Sequence, residues 1–433
     1  MSDRPFHSEP PQHASLIVIG AGAAGLFGAI ACAEANPSAS IRIFEAGREP
    51  LAKVRISGGG RCNVTHACFD PAVLVTHYPR GSKVLRGPFS RFQPQDTVAW
   101  FERRGVRLKT EADGRMFPTT DDSGTIVDCL LGEARRLGIR IYTGQAIAHI
   151  QPDEAGFGLT TRAGAGWRCD QLLLATGSSP NGYRLALKLG HDLVPPVPSL
   201  FTFTVPDPAL RELAGVSVET VRLSLALEDA PALTQSGPLL ITHWGLSGPA
   251  VLKLSAYGAE ALHRQRYRAT LTVNWLPALK PDQVRQKLLT LKREQGKRQV
   301  AAFSPFSELS RRLWQYLTQH RADLGTKLNW ADLSKAQLQA LVNELTRGNY
   351  AIAGKGVFKD EFVTCGGIPL AEVNFKTMES RRCPGLYFAG EMLNIDGVTG
   401  GFNFQNAWTT GWLAGQAIAA NVTVLPEANF RKS

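Results

Sequence analysis

Pairing cysteines are missing from this chain of 433 residues. The seven it has, at 32, 62, 68, 129, 169, 365 and 383, are odd in number and scattered, and no two form a CxxC pair. That pattern excludes a disulfide framework and a redox dithiol. It is the usage of a reducing compartment, so a cytoplasmic location is expected. No set of His and Cys has the HxxxH or CxxC spacing of a zinc site, so no metal is expected. No GxSxG stretch supports hydrolase chemistry. No apolar run reaches the length of a membrane span, so no membrane is expected among the partners. The first fifteen residues, with Asp3, Arg4, Glu9 and the adjacent Pro10 and Pro11, lack the apolar centre of a signal peptide. They read as a disordered lead-in. Acidic residues are the scarcer charge: 37 Asp and Glu face 48 Lys and Arg, a net charge of +11, which favours polyanionic company such as nucleic acid. With 44% hydrophobic residues the chain is an ordinary globular one, and its length calls for two or three domains.

What is present is most informative at the N-terminus. Leu16-Ile17-Val18-Ile19, a short branched apolar run, reads as a buried parallel strand. Gly20, Gly22 and Gly25 follow as GxGxxG: the first permits the tight turn, the second lets backbone approach a pyrophosphate, and the third lets helix pack on strand. A helix is expected from about Ala23 through Leu26, Ile30 and Ala33, its free N–H groups at Ala23 and Ala24 making an anion site. A second strand, Ile41 to Phe44, ends in Glu45, near the spacing expected for the acid that accepts both ribose hydroxyls, with Ala46 beside it. Strand, glycines, helix, strand and acid in this order predict dinucleotide binding.

The far end of the chain decides which dinucleotide. Leu386 to Ala389 is another apolar strand, followed by Gly390 and Glu391, then Asp396, and then Gly400, Gly401, Phe402 and Asn403 opening an Ala/Gly/Trp-rich helix from about Asn406 to Ala420. A carboxylate at a strand end can hold ribityl hydroxyls, and a Gly-Gly turn at a helix N-terminus can offer N–H groups to the electron-rich edge of a reduced flavin. An adenylate site at one end and this site at the other imply FAD. A second GxGxxG for a permanent NAD(P)H site is absent, so NAD(P)H, if used, visits the re-oxidised flavin as a transient reductant.

Between the two ends lies Lys53-Val-Arg-Ile-Ser57-Gly58-Gly59-Gly60-Arg61-Cys62-Asn63-Val-Thr65-His66. Three consecutive glycines make a poor strand or helix and a good loop where backbone approaches a ligand, so Lys53, Ser57 to Arg61 and Asn63 join the cofactor candidates. The pairing of ISGGGRCNVTH with the GxGxxG start and the GGFNFQNAW end resembles the BaiN/RdsA family of flavoproteins, also called the YhiN or HI type. Asp113 to Pro118, Ala175 to Gly177, Thr242 to Pro249 and Arg382 to Gly390 fit the same pattern, so the resemblance covers nearly the whole chain. At His66 the family more often has Asn. The resemblance implies a backbone contact of Ile147 with the adenine, and the strand and turn over Gln171–Gly177 point Thr176 and Gly177 toward the cofactor. Members of the family include a bile-acid enone reductase and a dihydrouridine synthase acting on large-subunit ribosomal RNA, and another resembling flavoprotein oxidises a small amine.

The fold expected is α/β: a Rossmann-like three-layer FAD-binding domain over 1–190 and 356–433, split by a β-barrel-like segment over 191–275 and a helical segment over 276–355. A helical pattern from Ser90 to about Gly105, an amphipathic helix from Thr125 to Leu137, and strands over Ile139–Tyr142 and Gln171–Leu174 complete the first part. Past Gly190, period-two runs at Leu200–Val205, Val221–Leu227 and Arg268–Asn274 bounded by Pro and Gly predict an antiparallel sheet. From Lys280 to Arg347 the period turns helical, at Val284, Leu288 and Leu291, then Leu309, Leu313 and Leu317, then Leu338, Leu341 and Leu345.

Flavin carries the redox work and the protein supplies position and protons. Cys62, beside Arg61 and the glycine loop, is a candidate proton donor if its thiol is acidified, and equally a small buried filler. His66 and His243 are candidate proton carriers, or hydrogen-bonded structural residues. Between Leu276 and Tyr350 there are 13 Lys and Arg against six acids. The doublets Lys292-Arg293, Lys297-Arg298 and Arg311-Arg312 suit phosphate contacts, or else a solvated helical face. Two function classes remain: an FAD-dependent reductase of an activated C=C bond, in ribosomal RNA or in a small molecule, and a non-catalytic FAD-stabilised RNA-binding protein.

Overall fold

A computed structural model describes residues 12–228, 231–356 and 363–422. Residues 1–11 of the expected lead-in fall outside that range. Gln12–Ile19 is one strand, so residues 12–15, expected to be disordered, are part of the sheet. The strand extends toward Gln12 because the Gly166–Leu174 strand pairs with it from Gln12↔Trp167 to Ile19↔Leu174. The chain divides into two compact units, Met1–Pro196 with Cys365–Ser433, and Val197–Thr364.

In the first unit the apolar run Leu16–Ile19 is fully or almost fully buried and lies parallel to Ile41–Phe44 on one side and to Gly166–Leu174 on the other. The sheet order is Val373–Asn374, Glu379–Ser380, Leu386–Phe388, Gly166–Leu174, Gln12–Ile19, Ile41–Phe44, Arg140–Tyr142, with the hairpin Ile147–Asp153 and Gly156–Thr161 off this path. Register matters here. Ile19 pairs with Phe44 and with Leu174, and Leu174 pairs with Phe388, so four carboxyl-terminal strand ends form one row. Gly20, Glu45, Ala175 and Ala389 each follow a member of that row. Stretches far apart in sequence therefore emerge at one sheet edge, where open α/β sheets bind ligands.

Helix Ala23–Ala35 buries ten residues and crosses helix Phe402–Asn421 at near backbone contact. A Cβ at Gly411 would lie 2.5 Å from Ala24 O, and one at Gly415 would lie 2.3 Å from Gly28 O. The Ala/Gly composition of both helices is thus a packing requirement. A separate helix, Ser82–Phe89, precedes the one expected from Ser90 to Gly105, and the expected one is shorter, Pro94–Glu102. Pro94 opens the second, and Asp96 accepts the Gln93 N–H, so the chain restarts there. The amphipathic helix spans Ser123–Arg136, with Asp122 accepting from Gly124 N.

The second unit carries a seven-stranded sheet in the order Gly348–Ile352, Ala269–Asn274, Ser217–Leu225, Leu233–Thr242, Gly245–Ser247, Phe203–Thr204, Gly354–Lys355. Its first and last strands are separated by Ala353 alone, whose N–H donates to Thr204 O, so one continuous segment holds both ends of the sheet. The run Leu200–Val205 is strand only at Phe203–Thr204, because Leu200 adopts φ +58° and turns the chain. Helices Pro281–Glu294, Arg311–Tyr316 and Lys335–Arg347 follow, the middle one continuing as a π-helical turn over Leu317–Arg321. Trp275, Trp314 and Trp330 are fully buried in this unit's core. No helix among the described residues is long and apolar enough to cross a membrane.

Candidate functional site

The glycine turn after the first strand is built by close contact. Gly20 has φ +105°, and a Cβ there would lie 2.5 Å from Ala175 O. A Cβ at Gly25 would lie 2.0 Å from Gly20 O, so the helix can seat on the strand only with glycine. Gly22 differs: it caps the helix with φ −82°, and its Cβ position meets no atom within 4 Å. The helix has no acidic residue in its first turn and no side-chain cap. Its first N–H groups, those of Ala23 and Ala24 among them, therefore face an open cradle with positive potential. Glu45 braces this turn: Oε2 accepts Ala21 N at 2.8 Å and Oε1 accepts Gly47 N at 2.7 Å. Each carboxylate oxygen keeps a second lone pair for a hydroxyl. Ala46 is exposed beside it.

Along the same edge, Gly390 (φ +70°) packs so tightly that a Cβ would lie 2.8 Å from the Ala24 Cβ, and its N–H donates to Thr410 Oγ1 at 2.9 Å. Glu391 Oε2 and Lys53 Nζ pair at 2.8 Å, which brings two sequence candidates into contact with each other. Gly177 (φ +60°) lies beside Glu391, its Cβ position 3.5 Å from Oε2. Thr176 Oγ1 donates to Met392 Sδ at 2.8 Å. The Ile147 carbonyl accepts Asn181 Nδ2 at 3.1 Å, a support that no sequence pattern signals.

Beyond lies the turn that opens helix Phe402–Asn421. Asp396 is fully buried and ion-paired with Arg80, which the sequence hid within a run of basic residues. Asn403 is a clamp: its Oδ1 accepts Gly397 N and its Nδ2 donates to Gly397 O, both at 2.8 Å. Gly401 caps the helix with φ +91°, and a Cβ there would lie 2.4 Å from Thr65 O. The Asn63 amide donates to Thr65 O and accepts Gly401 N, both at 3.0 Å. The Gly401 N–H is therefore spent, and the donors left at this helix start belong to Phe402 and Asn403. Under the turn, Gln405 accepts from Thr65 and Thr97 and donates to Thr409, an all-buried network.

The triple-glycine segment is a loop. Residues 52–56 are helical, Ser57 is extended, and Gly58, Gly59 and Gly60 all take positive φ. No atom lies within 4 Å of the Cβ positions of Gly59 and Gly60. Arg61 turns its guanidinium away into an ion-pair network with Glu111 (2.7 Å) and Asp121 (3.5 Å), 4.0 Å over the Phe117 ring. These ion pairs brace the loop.

The acidified thiol expected at Cys62 is not there. Cys62 is completely buried with φ +60°, and burial pushes its thiol up to about 12, against a smaller opposing effect of the Ser57 hydrogen bond. Such a thiol holds its proton, as a donor must, but it is a weak acid and not the acidified group expected beside Arg61. His66 is half-buried, with Nδ1 2.9 Å from Gly400 O. A carbonyl only accepts, so Nδ1 carries the proton in the neutral ring and Nε2 is the basic nitrogen. His66 and His77 both stack on Phe402, at 4.6 and 4.3 Å. His77 is not apparent from sequence because no glycine motif flanks it. His243 lies exposed in the other unit.

Two glycine turns, each opening a helix and each rooted in one row of strand ends, form the halves of a dinucleotide site. The open cradle at Gly22, at the start of a helix without a side-chain cap, suits a pyrophosphate, and Glu45 beside it suits a ribose, the two polar groups of the adenylate half of FAD. These features define an FAD-dependent oxidoreductase of Rossmann type. Residues 14–417 match the family described as HI0933-like protein Rossmann domain, and the chain belongs to that family. It is 31% identical over 417 residues to a ribosomal RNA dihydrouridine synthase of Escherichia coli K12, covering 93% of this chain and 98% of that one. It is 29% identical over 416 residues to a 3-dehydro-bile acid delta(4,6)-reductase of Clostridium scindens, again covering 93% and 98%. Among solved structures, a 3-ketosteroid-delta4-(5alpha)-dehydrogenase from Rhodococcus jostii RHA1 aligns with a TM-score of 0.51 at 15% identity, over 96% of this chain and 98% of that one, a likeness of fold.

Proposed function

We propose that the protein reduces an activated C=C bond, and that its substrate is a uridine in ribosomal RNA. The C5=C6 bond of uracil is conjugated to a carbonyl, so hydride adds at C6 and a proton must reach C5. Bound FAD, recharged by a visiting NAD(P)H, supplies the hydride. The chain's residues do the rest: Gly22, Ala23 and Ala24 receive the pyrophosphate, Glu45 the ribose, Glu391 with Lys53 the ribityl hydroxyls, and the Phe402 and Asn403 N–H groups the electron-rich flavin edge. With the Cys62 thiol enclosed and only weakly acidic, His66 Nε2 is our first choice of proton carrier, its ring held by Gly400 O and Phe402.

The synthase of Escherichia coli and the reductase of Clostridium scindens both carry names that denote reduction of a C=C bond, which supports the reaction class. The observation that carries RNA over a small enone is electrostatic. Of the thirteen Lys and Arg between Leu276 and Tyr350, Arg321 alone forms an ion pair among the described residues, with Glu344. Ten of the others are exposed. An excess of cations left without carboxylates is what phosphate binding requires, and a bile acid would not use it. We also read the second unit's sheet, whose two ends share one segment, as the barrel-like part of an insertion.

Deletion of the gene should abolish one dihydrouridine in large-subunit ribosomal RNA, read by mass spectrometry of nuclease digests. Re-expression of wild type should restore it, while His66→Phe, which keeps a ring against Phe402 and removes Nε2, should restore it only slowly. If every ribosomal dihydrouridine survives deletion, the RNA assignment fails and a small-molecule reductase takes its place.

A further inference from the structure

Phe303 is an exposed aromatic on a rigid, cation-bearing loop. Its ring is 45% exposed, which sets it apart from Phe306, three residues on, which is buried. The loop that presents it cannot flex freely. Val300 N donates to Leu328 O, Trp330 N to Arg298 O, and Ala331 N to Gly296 O. Inside the unit, the indole N–H of buried Trp314 donates to Val300 O at 2.8 Å. After Phe303, Ser304 closes a turn, its Oγ accepting Phe306 N at 3.1 Å. The ring is thus held out to solvent by a backbone fixed at several points, which lowers the entropy lost when something stacks on it.

The surroundings are cationic. Residues 292–312 hold six Lys and Arg against two Glu, and none of the six forms an ion pair among the described residues. Lys297 and Arg298 are exposed, and the Arg298 guanidinium sits 5.6 Å from the Phe303 ring centroid. An exposed π face bordered by uncompensated cations has the two components of a single-strand nucleic-acid contact: bases stack on the ring while the charges follow the backbone.

We propose that Phe303 is a stacking platform for an unpaired base of the RNA substrate, with Lys297 and Arg298 on the adjoining phosphates. This rests on the RNA reading above and adds to it a requirement: the bound segment is single-stranded at a second position, outside the active-site pocket. A duplex hides its base faces in its own stack and would gain nothing from the ring.

The test uses the full-length FAD-loaded protein and fluorescein-labelled oligoadenylate, with an RNA duplex of equal length as control, read by fluorescence anisotropy. Phe303→Leu keeps an apolar side chain without a π face, and Phe303→Trp keeps the π face. Stacking losses of the usual size predict that Phe303→Leu weakens oligoadenylate binding about fivefold or more. The slope of log affinity against log salt should stay unchanged, because no charge is removed. Phe303→Trp should bind as wild type, and duplex binding should be insensitive to both variants. Equal FAD absorbance and melting temperature of the variants verify the fold. Wild-type affinity in Phe303→Leu, or an equal loss on duplex, overturns the platform. If dihydrouridine disappears on gene deletion while Phe303→Leu binds normally, the platform alone fails. If it persists, the RNA reading itself has failed.

Discussion

At the scale of single residues, Cys62 shows how burial reverses an inference from neighbours in sequence. Adjacency to Arg61 implied an acidified thiol, but the Arg61 guanidinium is engaged with Glu111 and Asp121, and Cys62 is enclosed. Desolvation penalises the thiolate and leaves a thiol pushed from an ordinary 9.0 to about 12. The sign of the stability effect follows. Below the ordinary value both folded and unfolded chains hold the proton, and the stabilising effect is complete. As pH rises toward the folded value only the unfolded chain gives the proton up, so stability falls. Urea unfolding between pH 9.0 and about pH 11 should therefore show wild type losing up to about 1 kcal/mol per pH unit more than Cys62→Ala. Below that range the variant should be the less stable by about 1 kcal/mol, because the enclosed sulfur fills space that alanine leaves empty. Its turnover should match wild type, and a large loss of turnover in Cys62→Ala would reinstate the thiol as a catalytic group.

At the scale of elements, the glycines separate into two kinds that sequence alone cannot tell apart. Gly25 is a packing glycine, and Gly22 guards empty space. The consequence is a clean contrast. Gly22→Val should fold, because φ −82° and ψ −173° suit any residue and its Cβ meets nothing. The protein should nevertheless purify colourless, since the branched side chain fills the place of the pyrophosphate. Gly25→Ala should instead lower the melting temperature sharply, because a Cβ 2.0 Å from Gly20 O must push helix from strand. A yellow Gly22→Val protein would move the phosphates elsewhere. Much of this element-level design was legible: strand, turn, helix and Glu45 follow from apolar runs, glycine spacing and an acid at a strand end. The pairing partners were not. No sequence pattern shows that the side-chain amides of Asn63 and Asn403 bond the turn's own backbone. Arg80 and Asp396 are 316 residues apart, and only the fold reveals their bond.

At the scale of the whole molecule, register and charge distribution are the two properties that act at long range. Register brings Gly20, Glu45, Ala175 and Ala389 to one edge. Periodicity predicted each strand, but not the row, since pairing is set by tertiary contact. Charge was countable from sequence, whereas which cations are free for a partner was not. The basic doublets read from sequence as phosphate contacts or a solvated helical face, without distinction among them. The structure divides them: Lys292 donates to Leu333 O and Arg312 to Glu212 O, so these two tie elements of the second unit together. Arg293, Lys297, Arg298 and Arg311 are exposed and have no carboxylate partner among the described residues. Replacing these four by Gln should leave FAD absorbance and melting temperature unchanged. It should weaken binding to single-stranded RNA and flatten the slope of log affinity against log salt by about 0.7 for each phosphate no longer neutralised. Lys292→Gln and Arg312→Gln should show the opposite pattern, a loss of stability with little change in slope. A quadruple variant that keeps the wild-type slope would mean that the RNA backbone is gripped elsewhere, and the cations of this helical face would then serve only to keep it solvated.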